Sequence, residues 1–463
     1  MSRFSDYLQA TFDFSAPEAE EIIVAMKKPI GKSIRVNTRK IPLEDFQIHA
    51  QEQGWSLTAT DIPEVFLIDR EDTTIALGNT LEHQAGWFYI QEVAAAHPPY
   101  LLREQMRGKR EMEKGKAMDN NSTVLPIFST SSLILDMCAA PGGKTTQLAD
   151  YFPDSLVIAN EVNRTRTPQL FDNLDRMGYD NIAVVSCDGR FFQNFPEFFD
   201  AVLLDAPCSG EGTAFRDSAV LDHWHEKNIE RIAKLQKQLM ETAETVVKPD
   251  GFLSYSTCTL NTLENEEIID VRLQKEDSTL RELFRKRFWP HIEHTGGFFA
   301  SIFQKKSSSS AAHHDYPILA AKGQQKLIVN PATKGEWEIV ERFISKHLKS
   351  KLRNGFLYTA KDGVYFNQKN LGPLAEYFYF VHAGMRIGTI KGNTFTPTHH
   401  IWWCLTETSQ IQKVEIVPEQ WADILENKKA RFTLEDGYYA LSHGRGVVGV
   451  GYISEGILKT KIS

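Results

Sequence analysis

Between residues 133 and 256 the chain alternates short apolar runs with helix-like patterns, and no other feature constrains its fold as strongly. Five runs are apolar almost throughout: Leu133–Met137, Leu156–Asn160, Ile182–Ser186, Phe199–Leu204 and Phe252–Ser256. Such runs indicate strands that are buried on both faces, and the helical patterns between them indicate crossover connections. The alternation predicts an α/β fold with a mostly parallel, doubly wound sheet. Ligands of such sheets bind beyond the carboxyl ends of the strands.

The formal net charge of −8 is unevenly distributed along the chain. Residues 133–274 carry a net charge of −11, whereas residues 275–463 carry +8. The acidic total argues against a nucleic-acid partner, but the C-terminal part has the basic footprint that such a partner needs. The distribution therefore favours nucleic-acid contacts after residue 275.

Three absences in the sequence bear on its compartment. There is no run of about 18 apolar residues, as a membrane-spanning helix would need. The first residues lack an apolar leader. The five cysteines are widely spaced and form no CxxC pair, which argues against a disulfide framework or a zinc site. We expect a cytoplasmic monomer that binds no metal and no membrane.

Breaks in composition divide the chain into four parts. Residues 103–131 are dense in charge, and we interpret them as an exposed insertion. The serine-rich stretch 304–315 is interpreted as a flexible joint. The predicted domains are an N-terminal subdomain with the insertion (1–130), a catalytic domain (131–305), a small α+β module (318–393) and a basic β module (394–463).

The loop after the first apolar run reads Cys138-Ala-Ala-Pro-Gly-Gly-Lys-Thr145, and it has two interpretations. A phosphate-binding loop requires glycine where Cys138 stands, and Pro141 removes one of the amides that would hold phosphate. The alternative is a site for a nucleoside-bearing methyl donor, because Gly142 and Gly143 allow close approach of the backbone. We favour the second interpretation.

Acidic side chains follow three successive strands. Glu161 is placed to accept hydrogen bonds from both ribose hydroxyls of a bound nucleoside, and Asp188 is placed for an adenine amino group. Asp205 ends the fourth strand. One such acid is commonly a solvated side chain, but three of them at strand ends favour a cofactor site.

Two cysteines follow neighbouring strands, in Asp205-Ala-Pro-Cys208 and Tyr255-Ser-Thr-Cys258. Adjacent strands lie about 5 Å apart, so both thiols can reach one pocket. Cys138, Cys187 and Cys404 are interpreted as small buried apolar residues.

Methylation of a pyrimidine at C5 requires this set of groups. A thiolate adds to C6 and makes C5 nucleophilic, and a second group handles the C5 proton. Asp205 can hold N3 and the exocyclic amine, and a protonated Asp205 could donate to N3. The base must also leave its stack to enter the pocket. The residues alone do not decide between Cys208 and Cys258 as the nucleophile.

The loop Ala139–Thr145, the segment Asp205-Ala-Pro-Cys-Ser-Gly210 and the segment Tyr255–Cys258 resemble the motifs of the Nop2/Sun family of RNA 5-methylcytosine methyltransferases. The resemblance extends upstream to Ser33–Thr38 and Leu77–Glu92, and Gly296-Gly-Phe-Phe299 closes the domain. With its long C-terminal extension, the chain is most similar to the bacterial members that modify 16S rRNA.

This resemblance implies a Rossmann-like methyltransferase domain with an N-terminal α+β subdomain and a PUA-like RNA-binding module at 394–463. It implies that Cys258 is the nucleophile and that Cys208 assists release of the product. The implied target is cytosine 1407 of 16S rRNA, reached within the 30S subunit. The implied S-adenosylmethionine site comprises Cys138, Ala139, Ala140, Pro141, Gly142, Gly143, Lys144, Glu161, Asp188 and Asp205.

Two alternatives and one uncertain segment accompany this prediction. The substrate could instead be tRNA or another rRNA site, or the chain could be a non-catalytic RNA-binding assembly factor, although both cysteines and Asp205 are present. The segment Arg281–Trp289 mixes cations with aromatic residues, as RNA contacts do, but a solvated face would look the same. We expect truncation after residue 275 to weaken RNA binding far more than cofactor binding.

Overall fold

The computed structural model describes residues 3–119, 132–222, 224–307, 314, 316–317, 329–427 and 429–460. Its helices are α1 Arg3–Phe12, α2 Ala16–Lys27, α3 Leu43–Glu52, α4 Leu81–Gln84, α5 Val93–Asp119, α6 Gly143–Tyr151, α7 Thr167–Met177, α8 Ala219–Asp222, α9 Glu226–Val246, α10 Glu266–Leu273, α11 Pro290–Glu293, α12 Lys334–Phe343 and α13 Pro418–Asn427. None of these helices combines the length and the apolar character needed to cross a bilayer.

The strands belong to four sheets. They are β1 Ser33–Val36, β2 Trp55–Ala59, β3 Val65–Arg70, β4 Phe88–Ile90, β5 Leu133–Asp136, β6 Leu156–Asn160, β7 Ile182–Val185, β8 Phe199–Asp205, β9 Val247–Thr257, β10 Leu280–Phe288, β11 Phe298–Lys305, β12 Val329–Pro331, β13 Phe356–Ala360, β14 Gly363–Asn367, β15 Phe380–His382, β16 Met385–Lys391, β17 Thr394–Pro397, β18 Lys413–Glu415, β19 Gly437–His443, β20 Gly446–Ser454 and β21 Ile457–Lys459.

The largest sheet has eight strands in the order β10-β11-β9-β8-β5-β6-β7-β15. Its five central strands, β5 to β9, are parallel to one another. They are the five apolar runs of the sequence, so the prediction of an α/β fold with a doubly wound sheet is confirmed. The outer strands β10, β11 and β15 are antiparallel additions that the apolar pattern did not predict.

Helices cover both faces of this sheet, because alternate residues of each central strand point to opposite sides. On one face Ile134 packs in a core with Leu148 of α6 and Leu170 of α7. On the other face Leu135 packs in a core with Leu239 of α9 and Ile269 of α10. The carboxyl ends of β5 to β9 are left open between these layers, and every predicted site motif follows one of them.

The predicted insertion at 103–131 begins inside helix α5, which continues to Asp119. Residues Leu102 and Met106 are buried against the sheet, so the start of this segment is part of the fold. The interpretation as an exposed insertion is therefore wrong at Met106, and for the rest of the segment it stays a prediction. The charge that suggested a linker comes from Arg, Lys and Glu, which are also strong helix formers. Residues 120–131 lie outside the described part.

The N-terminal sheet, in the order β2-β3-β1-β4, shares its hydrophobic core with the C-terminal sheet β18-β19-β20-β21. Phe46 and Phe88 pack in one cluster with Leu441 and Val448. The indole Nε1 of Trp87 donates to the carbonyl of Val447 over 3.2 Å. The two ends of the chain thus fold around a common core.

A buried polar cluster, His49, Glu82 and His443, lies at the same joint. The Nε2 atoms of His49 and His443 lie 2.8 and 3.2 Å from Glu82 Oε1, and His443 Nδ1 donates to the Ile416 carbonyl at 3.0 Å. Burial opposes the charge of Glu82, but hydrogen bonds from His443 and His49 outweigh it and lower the Glu82 pKa to about 2. Burial also opposes the His443 charge, yet Glu82 raises the His443 pKa overall. Both ring nitrogens of His443 thus lie within hydrogen-bond distance of an acceptor, whereas the buried Nδ1 of His49 has no hydrogen-bond partner in the described part of the chain.

The middle module forms the five-stranded sheet β12-β13-β14-β16-β17. The boundary that we expected between residues 393 and 394 falls inside the hairpin of β16 and β17, whose strands pair from Gly388 to Pro397. Strand β15 leaves this module and joins β7 of the large sheet. Of the predicted joint at 304–315, Gln304 and Lys305 belong to β11, and 308–313 and 315 lie outside the described residues.

Candidate active site

The predicted cofactor loop joins β5 to α6. Gly142 has φ +104°, a left-handed conformation that favours glycine, and Gly143 begins the helix. A Cβ atom at Gly143 would lie 3.1 Å from the ring of Tyr89, so the loop packs tightly against the N-terminal subdomain. The loop is thereby held at the open edge of the sheet.

A cavity of about 500 Å³ lies between this loop and the ends of β6 and β7. The predicted residues that line it are Cys138, Ala140, Glu161, Asp188, Asp205, Cys208 and Cys258. Glu161 is buried, and its Oε1 accepts the Asn163 amide at 2.7 Å. Val162 is 59% exposed and also lines the cavity. Acids beside an exposed apolar side chain fit a nucleoside, whose ribose is polar and whose base is flat.

Asp188 lies at the rim of this cavity, with its side chain 47% exposed. Both of its carboxylate oxygens accept hydrogen bonds from the Arg190 guanidinium, at 3.0 and 2.6 Å. These bonds lower the pKa of Asp188, with burial opposing them. The sequence placed Asp188 correctly at the third strand end but did not predict that Arg190 engages it.

A second cavity, of about 420 Å³, adjoins the first. Cys138, Ala140, Arg166, Asp205 and Cys258 line both cavities. The other predicted cofactor residues divide between them: Ala139, Pro141, Gly143 and Lys144 line only the second cavity, and Gly142 lines neither.

The thiols of Cys208 and Cys258 meet at the boundary of the cavities, with their Sγ atoms 3.1 Å apart. The hydrogen bond with Cys258, together with burial, raises the Cys208 pKa well above the usual range of a thiol. Cys258 lines both cavities, whereas Cys208 lines only the one that contains Glu161. The fold therefore brings together the two cysteines that the sequence singled out, and it gives them different environments.

Asp205 is held by two donors from different parts of the chain. Lys144 Nζ donates to Oδ2 at 2.8 Å, and Ser256 Oγ donates to Oδ1 at 2.7 Å. Burial opposes the Lys144 charge, but Asp205 more than offsets it, so the pKa of Lys144 is raised. The structure thus pairs Asp205 with a cation, whereas the sequence interpretation considered a protonated Asp205 that donates to N3. The fold pairs Lys144 with Asp205, a contact that no local pattern reveals.

Asp136 at the end of β5 is a buried acid that the sequence interpretation missed. Its Oδ2 accepts the Thr145 hydroxyl at 2.6 Å, and it lines the second cavity. Burial raises the pKa of Asp136 to about 7, against the hydrogen bond from Thr145. The sequence could have revealed this acid, because Asp136 interrupts the apolar run Leu133–Met137 of a buried strand. A polar group buried there needs a partner or a function.

Backbone contacts fix the segment that follows Cys208. The Gly212 amide donates to the Cys258 carbonyl at 3.1 Å, and the Gly297 amide donates to the Gly212 carbonyl at 2.9 Å. A Cβ atom at Gly212 would lie 1.9 Å from the Gly297 carbonyl oxygen, so only glycine fits. Glu264 also anchors this segment by accepting the Ser209 amide at 2.9 Å.

The cationic segment Arg281–Trp289 forms strand β10 and the residue after it. Arg285 pairs with Asp270 and Glu282, and Arg287 pairs with Glu266. These cations are therefore largely neutralised within the protein. Within the described ranges, the only cluster of three side chains suited to hold a metal ion is the interface cluster His49–Glu82–His443, which lines neither cavity.

Comparisons with known proteins agree with this geometry. The family profile for 16S rRNA methyltransferase RsmB/F matches residues 128–304, and that for the N-terminal domain of 16S rRNA methyltransferase RsmF matches residues 2–93. The ribosomal RNA small subunit methyltransferase F of Psychromonas ingrahamii is 32% identical over 96% of this chain and 92% of its own length. The protein of the same name from Vibrio parahaemolyticus is 31% identical over 87% of this chain and 82% of its own.

Solved structures share the fold over about two thirds of the chain. A methyltransferase homologue from Pyrococcus horikoshii is 27% identical, with a TM-score of 0.51 over 66% of this chain and 100% of that one. NSun6 from the same organism, determined with SFG, has a TM-score of 0.54 at 21% identity and covers 66% of this chain and 98% of its own. Similarity over nearly the whole length, together with the two profiles, shows that the chain belongs to the RsmB/F family of methyltransferases, which use S-adenosylmethionine as methyl donor.

Proposed function

We propose that the protein methylates C5 of a cytosine in 16S rRNA, at position 1407, through a covalent bond between the enzyme and C6 of the base. The observation that carries this proposal is the pair of thiols 3.1 Å apart beside Asp205, at the boundary of two cavities. Alkylation of C5 is the chemistry that needs a nucleophilic thiol and a second proton-handling group together. The names of the relatives support 16S rRNA as the substrate.

S-adenosylmethionine, when bound, supplies an electrophilic methyl group. We propose that Glu161, Val162 and Asp188 hold its nucleoside in the first cavity, while the target base occupies the second. The cavities meet at Cys258 and Asp205, so a base held there faces the donor. This placement keeps the reacting atoms together and leaves most of the RNA outside.

Cys258 is the proposed nucleophile because it lines the cavity assigned to the base. Its thiolate bonds to C6, electron density moves to C5, and C5 takes the methyl group. The C5 proton then passes to solvent water, the electron pair of its bond restores the C5–C6 double bond, and the Cys258 thiolate leaves C6. Cys208, whose raised pKa keeps it a thiol, stays uncharged beside Cys258 during attack and assists release afterwards.

Asp205 and Lys144 are proposed to orient the base. The exocyclic amine of cytosine can donate to Asp205, and the ammonium of Lys144 can donate to an acceptor on the ring. Lys144 thus supplies the hydrogen-bond donor that a protonated Asp205 would otherwise provide as electron density builds on the ring. Both groups stand in the second cavity already paired, which limits reorganisation when the base enters.

The remaining assignments complete the proposal. The protein acts in the cytoplasm as a monomer, with the 30S subunit as the natural form of its substrate. It comprises an N-terminal subdomain, a catalytic domain, the five-stranded module and a PUA-like C-terminal module. The shared core of the first and last of these makes them one structural unit.

The substrate is tested by offering S-adenosylmethionine with a labelled methyl group to free 16S rRNA, to 30S subunits and to tRNA in parallel. We expect label as 5-methylcytidine at position 1407, in 16S rRNA or in the subunit. Label at another 16S position would refute the site, and label in tRNA alone would refute the substrate class.

The roles of the cysteines are tested with two alanine variants. Cys258→Ala should abolish methyl transfer, because the remaining thiol of the second cavity, Cys138, is a poor substitute: burial raises its pKa well above the usual range. Cys208→Ala should accumulate an RNA–protein species that survives a denaturing gel. Cys404→Ala, buried outside both cavities, is the control. Turnover by Cys258→Ala, or a trapped species with that variant, would reverse the assignment.

A further inference from the structure

The mouth of the second cavity carries a cation that the proposed chemistry leaves unused. Three cationic side chains line this cavity: Lys144, Arg166 and Arg216. Lys144 is paired with Asp205 at 2.8 Å, and Arg166 lies 3.7 Å from Glu161. Among the described residues, no acid forms an ion pair with Arg216, whose guanidinium lies 5.2 Å from the centre of the Phe215 ring. Arg216 is also exposed, in contrast to Lys144.

Arg216 is held at the mouth by the segment that carries Cys208. Its amide donates to the Thr213 carbonyl at 2.8 Å, which forms a turn directly after the Gly212 contacts. A Cβ atom at Gly296 would lie 2.8 Å from the Phe215 ring, so this ring lies tightly against the opposite loop. The backbone position of Arg216 is therefore fixed relative to Cys258, although its side chain reaches solvent.

The positive charge of Arg216 also acts on groups that line the cavity. Burial raises the pKa of Glu92, and backbone hydrogen bonds oppose that rise, followed by the positive charge of Arg216. The same holds for Tyr89 on the other wall, where burial again raises the pKa and Arg216 is one of several opposing cations. Both residues line the second cavity. Arg216 thus stands between the cavity and solvent.

An arginine without an acidic partner at the mouth of a base pocket is suited to bind a phosphate group of the RNA. A base that enters the cavity remains joined to its ribose, whose two phosphodiester groups cannot follow it inside. Guanidinium groups bind phosphate oxygens through two parallel N–H donors and remain charged at any working pH. Lys144 and Asp205 already supply the donor and the acceptor that we propose for the base, which leaves Arg216 free for a phosphate.

We propose that Arg216 binds a phosphodiester group adjacent to the flipped cytidine and so holds the target nucleotide at the mouth of the second cavity. This inference rests on the proposed function, because it takes RNA as the substrate. It assigns Arg216 a positioning role, without contact to the reacting atoms. It also predicts that the contact is independent of sequence, since phosphate oxygens are the same in every nucleotide.

The test compares Arg216→Ala, Arg216→Lys and the control Arg231→Ala. Arg231 is an exposed arginine of helix α9 that lines neither cavity. Binding of a 16S rRNA fragment that contains the unmethylated target cytosine is measured from about 50 to 300 mM salt. A lost phosphate contact lowers the slope of log K against log salt by about 0.7 to 0.9. We expect this decrease and an affinity loss of at least about tenfold for Arg216→Ala, with wild-type values for Arg231→Ala.

Two further measurements identify the contact. Arg216→Lys should recover the salt slope, because it keeps the charge, but only part of the affinity, because it loses the paired donors. Replacing one phosphate beside the target by an uncharged methylphosphonate should weaken binding to the wild type and leave Arg216→Ala unaffected. S-adenosylmethionine affinity should stay within twofold of the wild type for all variants.

The outcomes separate this inference from the function that it rests on. If Arg216→Ala matches Arg231→Ala in slope and affinity while the wild type methylates the RNA, the phosphate contact is refuted alone. An equal loss of S-adenosylmethionine binding in Arg216→Ala would refute it too, by placing Arg216 in the cofactor site. If the wild type forms no 5-methylcytidine in 16S rRNA, the proposed function fails, whatever Arg216 does.

Discussion

At the scale of single residues, Asp136 in the wall of the second cavity is an acid whose pKa lies near neutrality. Asp136 is fully buried, and its raised pKa of about 7 follows from that burial. In the unfolded chain the same group titrates near 3.8. Folding therefore binds a proton between these two pH values, and the contribution of Asp136 to stability is largest where it stays protonated in both states.

We expect the free energy of unfolding to show this linkage. The contribution of Asp136 is fully present below pH 3.8 and is lost as the pH rises through about 7. Asp136→Asn removes the titration, so its stability relative to the wild type should increase as the pH rises from about 5 to 8. Urea unfolding at several pH values measures the difference. Asp154→Asn, an exposed acid, is the control, and a constant difference for Asp136→Asn would contradict the prediction.

At the scale of elements, the cations of strand β10 were considered as RNA contacts in the sequence. Their ion pairs within the protein now favour a role in stability. The guanidinium of Arg287 is 12% exposed and lies 2.5 Å from Glu266, and its ring neighbours are Phe12 and Trp289. Removing it leaves Glu266 without its cationic partner in a largely buried place. A cation so engaged is more important to the fold than to a ligand.

We therefore expect Arg287→Ala to lower the free energy of unfolding by about 2 kcal/mol, the usual effect of losing a hydrogen bond to a charged group. The salt slope of RNA binding should stay at the wild-type value. Arg281→Ala on the same strand, exposed and bonded to Gln304, should change stability by less than about 0.5 kcal/mol. A reduced salt slope in Arg287→Ala would restore the interpretation of β10 as an RNA contact.

The elements also show what a sequence can and cannot reveal. The central strands were predictable because both of their faces are buried, and helix α9 because its amphipathic pattern is regular. Strands β10, β11 and β15 were missed as members of the sheet, because pairing partners far away in sequence leave no local pattern. The same reason hides the contact of Lys144 with Asp205. That Asp188 and the two cysteines would lie at one edge was predictable, because strand ends of a parallel sheet converge.

At the scale of the whole molecule, the uneven charge suggested parts that work separately, and the packing argues otherwise. Val448 and Leu441 of the C-terminal sheet complete a core that begins with Phe46 and Phe88. Truncation after residue 275 would open this core and remove β11 from the large sheet. We now expect it to impair the cofactor site as well as RNA binding, so it cannot separate the two.

A point substitution tests whether the N-terminal and C-terminal sheets are stabilised by their shared core better than truncation does. Trp421 of α13 is 3% exposed, and its Nε1 donates to the Asn79 carbonyl at 3.0 Å. Trp421→Ala should cost about 3–5 kcal/mol, and hydrogen exchange should accelerate in β1 and β4 as well as in β19. Leu434→Ala, 40% exposed, is the control and should leave all three strands protected. Faster exchange confined to β19 would show that the two ends fold independently.

The bond from Trp87 to Val447 spans 360 positions of the chain, and this separation has a consequence for biosynthesis. A ribosome adds roughly 5–20 residues each second, so Trp87 waits roughly 20–70 s for its partner to be made. Throughout that time Phe46 and Phe88 have no C-terminal sheet to cover them. Nascent chains that stop before β20 keep this surface exposed and present it to chaperones and proteases. Completion of translation is thus a condition for folding the part of the enzyme that is made first.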